Sequence, residues 1–205
     1  MILGIIGGVG SGKSTVTDLL TEKYGFTVYH TDDLAKAIEE PGEAGYIALT
    51  AGDAFGTAIL EGGPGSRIDK AKLAALIYSD ETALKKVNSI IHPLVWSFLE
   101  EKAAEAKAEE GHHEEGQPGE GPRIAIETAL PAERFVKMCD CIWFVYTDSE
   151  IRIERLMASR GYSREKCVSM IENQMTDEEF TLASDYIIDN SGSPVETAER
   201  IGELL

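Results

Sequence analysis

Apolar positions fall into two spacings along this chain. Short runs of apolar and β-branched residues, the kind that lie buried within a parallel sheet, occur at Ile2–Ile6, Phe26–Tyr29, Arg123–Glu127, Cys141–Tyr146 and Tyr186–Ile188. Between them the apolar positions recur at helical spacing. Five strands alternating with helices predict a doubly wound α/β fold: a five-stranded parallel sheet with helices on both faces and ligands at the carboxyl ends of the strands. No internal repeat is visible.

The second and third strands are separated by roughly ninety residues, too many for a simple crossover. This stretch has helical patterning over Asp33–Glu39, Ala44–Phe55, Lys70–Ser79 and Glu81 to about Glu110, with Pro93 expected to break or bend the last. It predicts a helical subdomain inserted over residues 33–110 of a single domain spanning 1–205. "GHHEEGQPGEGPR" then reads as an exposed loop back to the sheet. A second helical pair, Glu150–Arg160 and Ser163–Thr176, follows the fourth strand, where a lid over residues 149–182 is expected.

The first strand runs into "IIGGVGSGKSTV", residues 5–16, in which Gly7, Gly12, Lys13 and Ser14 have the spacing of a phosphate-binding loop. The motif requires a strand before it and a helix after it. Both are predicted, with Val16, Leu19 and Leu20 on the helix face and Gly25 as its stop. Glycines leave backbone amides open to an anion, so Gly8, Gly10, Ser11, Gly12, Lys13, Ser14 and Thr15 form the expected nucleotide cradle. Lys13 would reach the β- and γ-phosphates and the Ser14 hydroxyl would sit on Mg²⁺. With the sheet, this predicts a P-loop NTPase fold.

Composition narrows the setting. A chain of 205 residues, 43% apolar, can bury one core and a small attached subdomain. No eighteen-residue apolar run and no charged-then-apolar leader occur, which predicts neither a membrane span nor a secretory signal, and a cytoplasmic protein. Cys139, Cys141 and Cys167 read as reduced thiols, and the histidines of "GHHEE" lack a cysteine partner for zinc. The formal net charge of −17 argues against nucleic-acid or anionic-membrane partners. It also demands that cations be gathered where a polyanionic nucleotide binds. Arg152, Arg155, Arg160 and Arg164 in the expected lid meet that demand as a cluster, although any one of them alone reads more readily as part of a solvated helix face.

The second strand ends in "VYHTDD". If the first two strands flank one crevice, Asp32 stands at its mouth, where a carboxylate can orient a hydroxyl and accept its proton. Asp33 fits the cap of the next helix, leaving Asp32 for chemistry.

The order of "GGVGSGKSTV", "HTDDLAKAIEEPG", "IDKAKL", "VNSIIHPLV" and "SDYIIDNSG" resembles the dephospho-coenzyme A kinases over nearly the whole chain. The resemblance implies transfer of the γ-phosphoryl of ATP to the ribose 3′-hydroxyl of dephospho-coenzyme A, with Mg²⁺. It implies Asp32 as catalytic aspartate, with Lys13, Arg155 and Arg160 also catalytic, Asn190 at the nucleotide, and His92 and Glu133 at the substrate. Four features depart from the family pattern: His30 replaces the first aspartate of its "DAD" motif, "ALPAE" replaces "PLLFE", Lys70 replaces a common arginine, and the lid spacing is longer by a residue, so that either Ser159 or Arg160 stands at the second lid position. Another small-molecule kinase on this scaffold is the alternative enzyme. A guanine-specific switch or an ABC-type ATPase would require an Asn-Lys-x-Asp or LSGGQ-like string, and neither occurs. A monomer or weak homo-oligomer is expected.

Overall fold

The computed structural model describes residues 1–110 and 121–205, and the "GHHEE" histidines lie outside the described residues. The chain divides into two compact units, residues 1–30 with 103–205, and residues 31–102.

The first unit holds a five-stranded parallel sheet built from β1 (Ile2–Ile6), β2 (Thr27–His30), β3 (Ile124–Thr128), β4 (Cys141–Tyr146) and β5 (Tyr186–Asp189). All five expected strands are present, each within a residue or two of its expected limits. Their spatial order is β2-β3-β1-β4-β5. β1 is buried at every position, as a central parallel strand with both faces covered must be. On one face α1 (Lys13–Tyr24) and α10 (Pro194–Leu204) pack Val16, Leu20 and Ile201 against Leu3, Ile5, Trp143, Val145 and Ile188. On the other, α6 (Glu133–Met138) brings Phe135 against Gly4, where a Cβ would lie 2.6 Å from the ring. Phe180 of α9 (Asp177–Leu182) stacks on Phe144 at 5.1 Å on that same face.

The expected lid pair becomes three helices: α7 (Ser149–Arg160), α8 (Arg164–Glu172) and α9. The second of the pair stops at Glu172 because Thr176 and Glu179 form a reciprocal capping box that starts a new helix. Ile153, Leu156 and Cys167 form a small core between α7 and α8, into which Val9 of the phosphate loop also packs.

The second unit contains α2 (Thr31–Ile38), α3 (Ala44–Leu49), a 3₁₀ turn (Gly56–Ile59), α4 (Lys70–Ser79) and most of α5 (Glu81–Glu110). The helix expected over Ala44–Phe55 ends at Leu49: Phe55 and Gly56 turn back to bond the Leu49 and Ala51 carbonyls, and Gly56 takes a left-handed φ of 57°. Of the two outcomes expected at Pro93, a break does not occur, and α5 runs through it. The buried stripe Val87, Ile91, Val95 and Leu99 runs at four-residue spacing across it, and this packing offsets the one backbone bond that proline removes.

Candidate active site

The phosphate loop joins β1 to α1 and is held both by its own Lys13 and by side chains of neighbouring elements. Gly10 and Gly12 have φ of 77° and 81°, a left-handed backbone that side chains resist. Gly12 is the N-cap of α1 and supplies no capping side chain, so the first amides of the helix remain available to an anion. Lys13 Nζ donates to the carbonyls of Gly7 at 2.8 Å and Gly8 at 3.3 Å, and lies 3.3 Å from Glu127 Oε1. Ser14, in the first turn, is exposed.

The sheet order corrects the expectation that β1 and β2 flank one crevice: β3 lies between them, and β4 is the other neighbour of β1. The carboxylate brought to the loop is therefore Glu127 on β3, in register with Ile5. Its side chain is 16% exposed, its other oxygen lies 3.1 Å from His30 Nδ1, and together they make a Lys13–Glu127–His30 chain. Sequence reasoning passed over Glu127 as a residue of the third strand. The signal was present in "RIAIE", where one charge closes an otherwise apolar buried run.

Asp32 and Asp33 both lie in the first turn of α2, which starts directly after β2. The expected division, with Asp33 capping and Asp32 still on the strand end, does not hold. Asp33 lies inside the helix and accepts from Lys36 Nζ at 2.7 Å. His92 is exposed on α5, and Glu133 is exposed at the start of α6, paired with Lys137 at 2.6 Å. Lys70 lines a polar cleft of about 340 Å³ in the second unit with Lys36, Glu39, Arg67 and Asp69. Burial there pushes the Glu39 carboxyl up, and the positive charge of Lys70 pulls it partly back.

The lid arginines are not one cluster. Arg152 is buried, donating through Nε to the Val9 carbonyl at 2.9 Å and through Nη2 to Gln174 Oε1 at 3.3 Å. Gln174 Oε1 in turn accepts from the Val9 amide at 2.7 Å, so both polar groups of Val9 are gripped from the lid segment. Burial lowers the affinity of Arg152 for its proton, partly countered by Asp177. Arg155 donates to the Asn190 carbonyl at 2.8 Å and lies near Gly12. Arg164 pairs with Glu150 at the surface, and Arg160 is exposed on the last turn of α7. The Asn190 side chain is buried beneath the loop, donating to the Ser11 carbonyl at 2.8 Å and accepting from Thr197 at 2.8 Å.

The donor set fits Mg²⁺, a hard cation held through one or two protein oxygens together with phosphate oxygens. The Ser14 hydroxyl and the Glu127 carboxylate are such oxygens at the loop, and among the described residues no three His, Cys, Asp or Glu side chains are arranged to hold a metal ion by themselves.

Comparison with known proteins places the arrangement. Residues 1–196 match the profile of the family described as dephospho-CoA kinase. A dephospho-CoA kinase of Carboxydothermus hydrogenoformans is 35% identical over 205 residues, covering 100% of this chain and 92% of the relative. That of Geobacter sulfurreducens is 32% identical, covering 99% and 96%. A solved dephospho-CoA kinase from Campylobacter jejuni shares the fold with a TM-score of 0.69, at 20% identity and with 99% and 96% coverage. With a phosphate loop backed by a β3 carboxylate and a sequence match along nearly its full length, this chain belongs to the dephospho-CoA kinase family.

Proposed function

We propose that this chain transfers the γ-phosphoryl group of ATP to the ribose 3′-hydroxyl of dephospho-coenzyme A, giving coenzyme A and ADP, and that its side chains divide the work as follows. The loop amides from Gly8 to Thr15 bind the phosphates, and Lys13 supplies the cation that follows the transferring group. As the ribose oxygen bonds to phosphorus and the bond to the ADP oxygen breaks, the hydroxyl proton passes to the Asp32 carboxylate. Arg155 and Arg160 stabilise charge on the moving group. The helical insertion over residues 33–110, with His92, and Glu133 on α6 hold the acceptor. The Ser14 hydroxyl and Glu127 carboxylate would hold Mg²⁺, whose charge neutralises the phosphate oxygens.

The observation that carries this reading is the match over residues 1–196 together with the Lys13–Glu127 pair at the loop. The enzyme is assigned to the cytoplasm as a monomer or weak homo-oligomer acting without nucleic acid or membrane. No helix among the described residues is long and apolar enough to cross a membrane. A coupled ADP-release assay tests the substrate. Turnover with dephospho-coenzyme A but not with shikimate or AMP is expected. Turnover with one of those acceptors and none with dephospho-coenzyme A would overturn the substrate and leave the kinase.

A further inference from the structure

The carbonyl of Ser11 is held by two side chains from outside the loop motif. Thr147, just beyond β4, brings its Oγ1 to 2.8 Å, and Asn190, just beyond β5, brings its Nδ2 to 2.8 Å. Both residues are buried, Thr147 at 1% and Asn190 at 3% exposure. The Asn190 amide is oriented by the Ser11 carbonyl, which can only accept and so takes Nδ2, while Oδ1 accepts from the Thr197 hydroxyl. Arg155 spans the pair, with Nη2 on the Asn190 carbonyl at 2.8 Å and Nη1 at 3.4 Å from Thr147 Oγ1. The Ser11 hydroxyl itself is buried without a hydrogen-bond partner among the described residues, so Ser11 is fixed through its backbone.

We infer that Thr147 is a positioning residue for the phosphate loop, acting with Asn190 to set the plane of the Ser11–Gly12 peptide. The inference rests on the nucleotide-binding reading of the loop. In a trans peptide the carbonyl and the next amide point in opposite directions, and no cis bond occurs among the described residues. Fixing the Ser11 oxygen toward Thr147 and Asn190 therefore turns the Gly12 N–H away from them, toward the nest. Two donors on the carbonyl also polarise the peptide and strengthen that N–H as a donor to phosphate. Gly12 is required at this point, because a Cβ there would run into the Asn190 amide.

The Thr147 hydroxyl has one proton and two carbonyls at 2.8 Å, those of Ser11 and Tyr146. Each carbonyl also accepts one bond from Asn190, Tyr146 from its backbone N–H and Ser11 from its Nδ2, and the inference gives the Thr147 proton to Ser11.

Calorimetry of Mg·ADP binding to the parent, Thr147→Val and Thr147→Ser proteins, with melting curves and steady-state kinetics alongside, tests this. Thr147→Val keeps the shape and removes the hydroxyl. Its Kd for ADP and KM for ATP are expected to rise about 3- to 10-fold, the worth of one hydrogen bond, with the KM for dephospho-coenzyme A unchanged. Thr147→Ser is expected to bind as the parent does. Parental ADP affinity in Thr147→Val overturns the inference, whatever its melting temperature. Equal weakening in Thr147→Ser overturns it too, by tracing the effect to the lost methyl group. A parent that binds no ADP overturns the nucleotide reading itself. Thr147→Ala, which also lacks the hydroxyl, carries the test if the valine protein melts below the assay temperature.

Discussion

The Glu127 carboxylate lies 3.3 Å from the Lys13 ammonium. This pair joins the end of β3 to the phosphate loop at the end of β1, and it follows from the two strands being neighbours.

Removing the cation should stop the reaction. Lys13→Ala is expected to lower kcat by about 10²-fold or more, because a charge aimed at the transferring group in a water-poor site is lost. ADP release under saturating substrates measures it, and near-parental turnover would remove the phosphate-loop assignment.

Glu127→Gln keeps the size of the side chain and the hydrogen bonding to His30 while deleting the charge. A kcat loss of about 10-fold or more is expected if the carboxylate serves the nucleotide's Mg²⁺, with the loss deepening when Mg²⁺ is lowered. A parental Mg²⁺ dependence in the variant would restrict Glu127 to restraining Lys13.

The two aspartates of α2 are separable. Asp32→Asn should bind ATP and dephospho-coenzyme A nearly as the parent does, yet turn over about 10²-fold or more slowly, since the acceptor hydroxyl then lacks a base. Asp33→Asn weakens an exposed pair with Lys36, 2.7 Å long, and should stay within about twofold. Calorimetry with single-turnover assays decides it. The reverse pattern would transfer the general base to Asp33.

The arginines should sort by burial. Arg152→Met fills the same space but leaves the Val9 carbonyl without its donor, and an urea titration is expected to show a loss of about 1–3 kcal/mol. Arg164→Ala breaks a surface pair with Glu150 and should leave the unfolding midpoint nearly unchanged. Arg155→Ala, beside Gly12, is expected to lower kcat more than Arg160→Ala at the exposed end of α7. Equal unfolding midpoints for Arg152→Met and Arg164→Ala would contradict the gripping of Val9.

Burial pushes the Cys139 thiol up to about 12. A raised thiol pKa means that the unfolded chain releases a proton that the folded chain keeps. The stability held below pH about 9 should therefore fall as pH rises toward 12, by at most about 1.4 kcal/mol per unit from this group. Cys139→Ala should flatten that decline. In the folded parent at pH 8, iodoacetamide should label Cys139 slowly, and rapid labelling there would refute the raised thiol pKa.

The positions of the five strands, the helix Lys70–Ser79 and the loop of Gly7 to Ser14 could all be read from local pattern, because hydrophobic period and glycine spacing are properties of a few consecutive residues. The helix of the second unit running through Pro93 could not, since what keeps it whole is the burial of Val87, Ile91, Val95 and Leu99 by other elements. Nor could the neighbour of β1: five strands in sequence are compatible with several spatial orders, and only the sheet put β3 and not β2 beside the loop. That order selected Glu127, gave Thr147 and Asn190 the Ser11 carbonyl, and turned Arg152 inward onto Val9. The sequence by itself determined that this protein binds nucleotide phosphates and what its elements are. Tertiary structure decided which side chains serve the loop and which face solvent, because hydrogen bonds between residues more than a hundred positions apart depend on strand order and register, which local pattern does not encode.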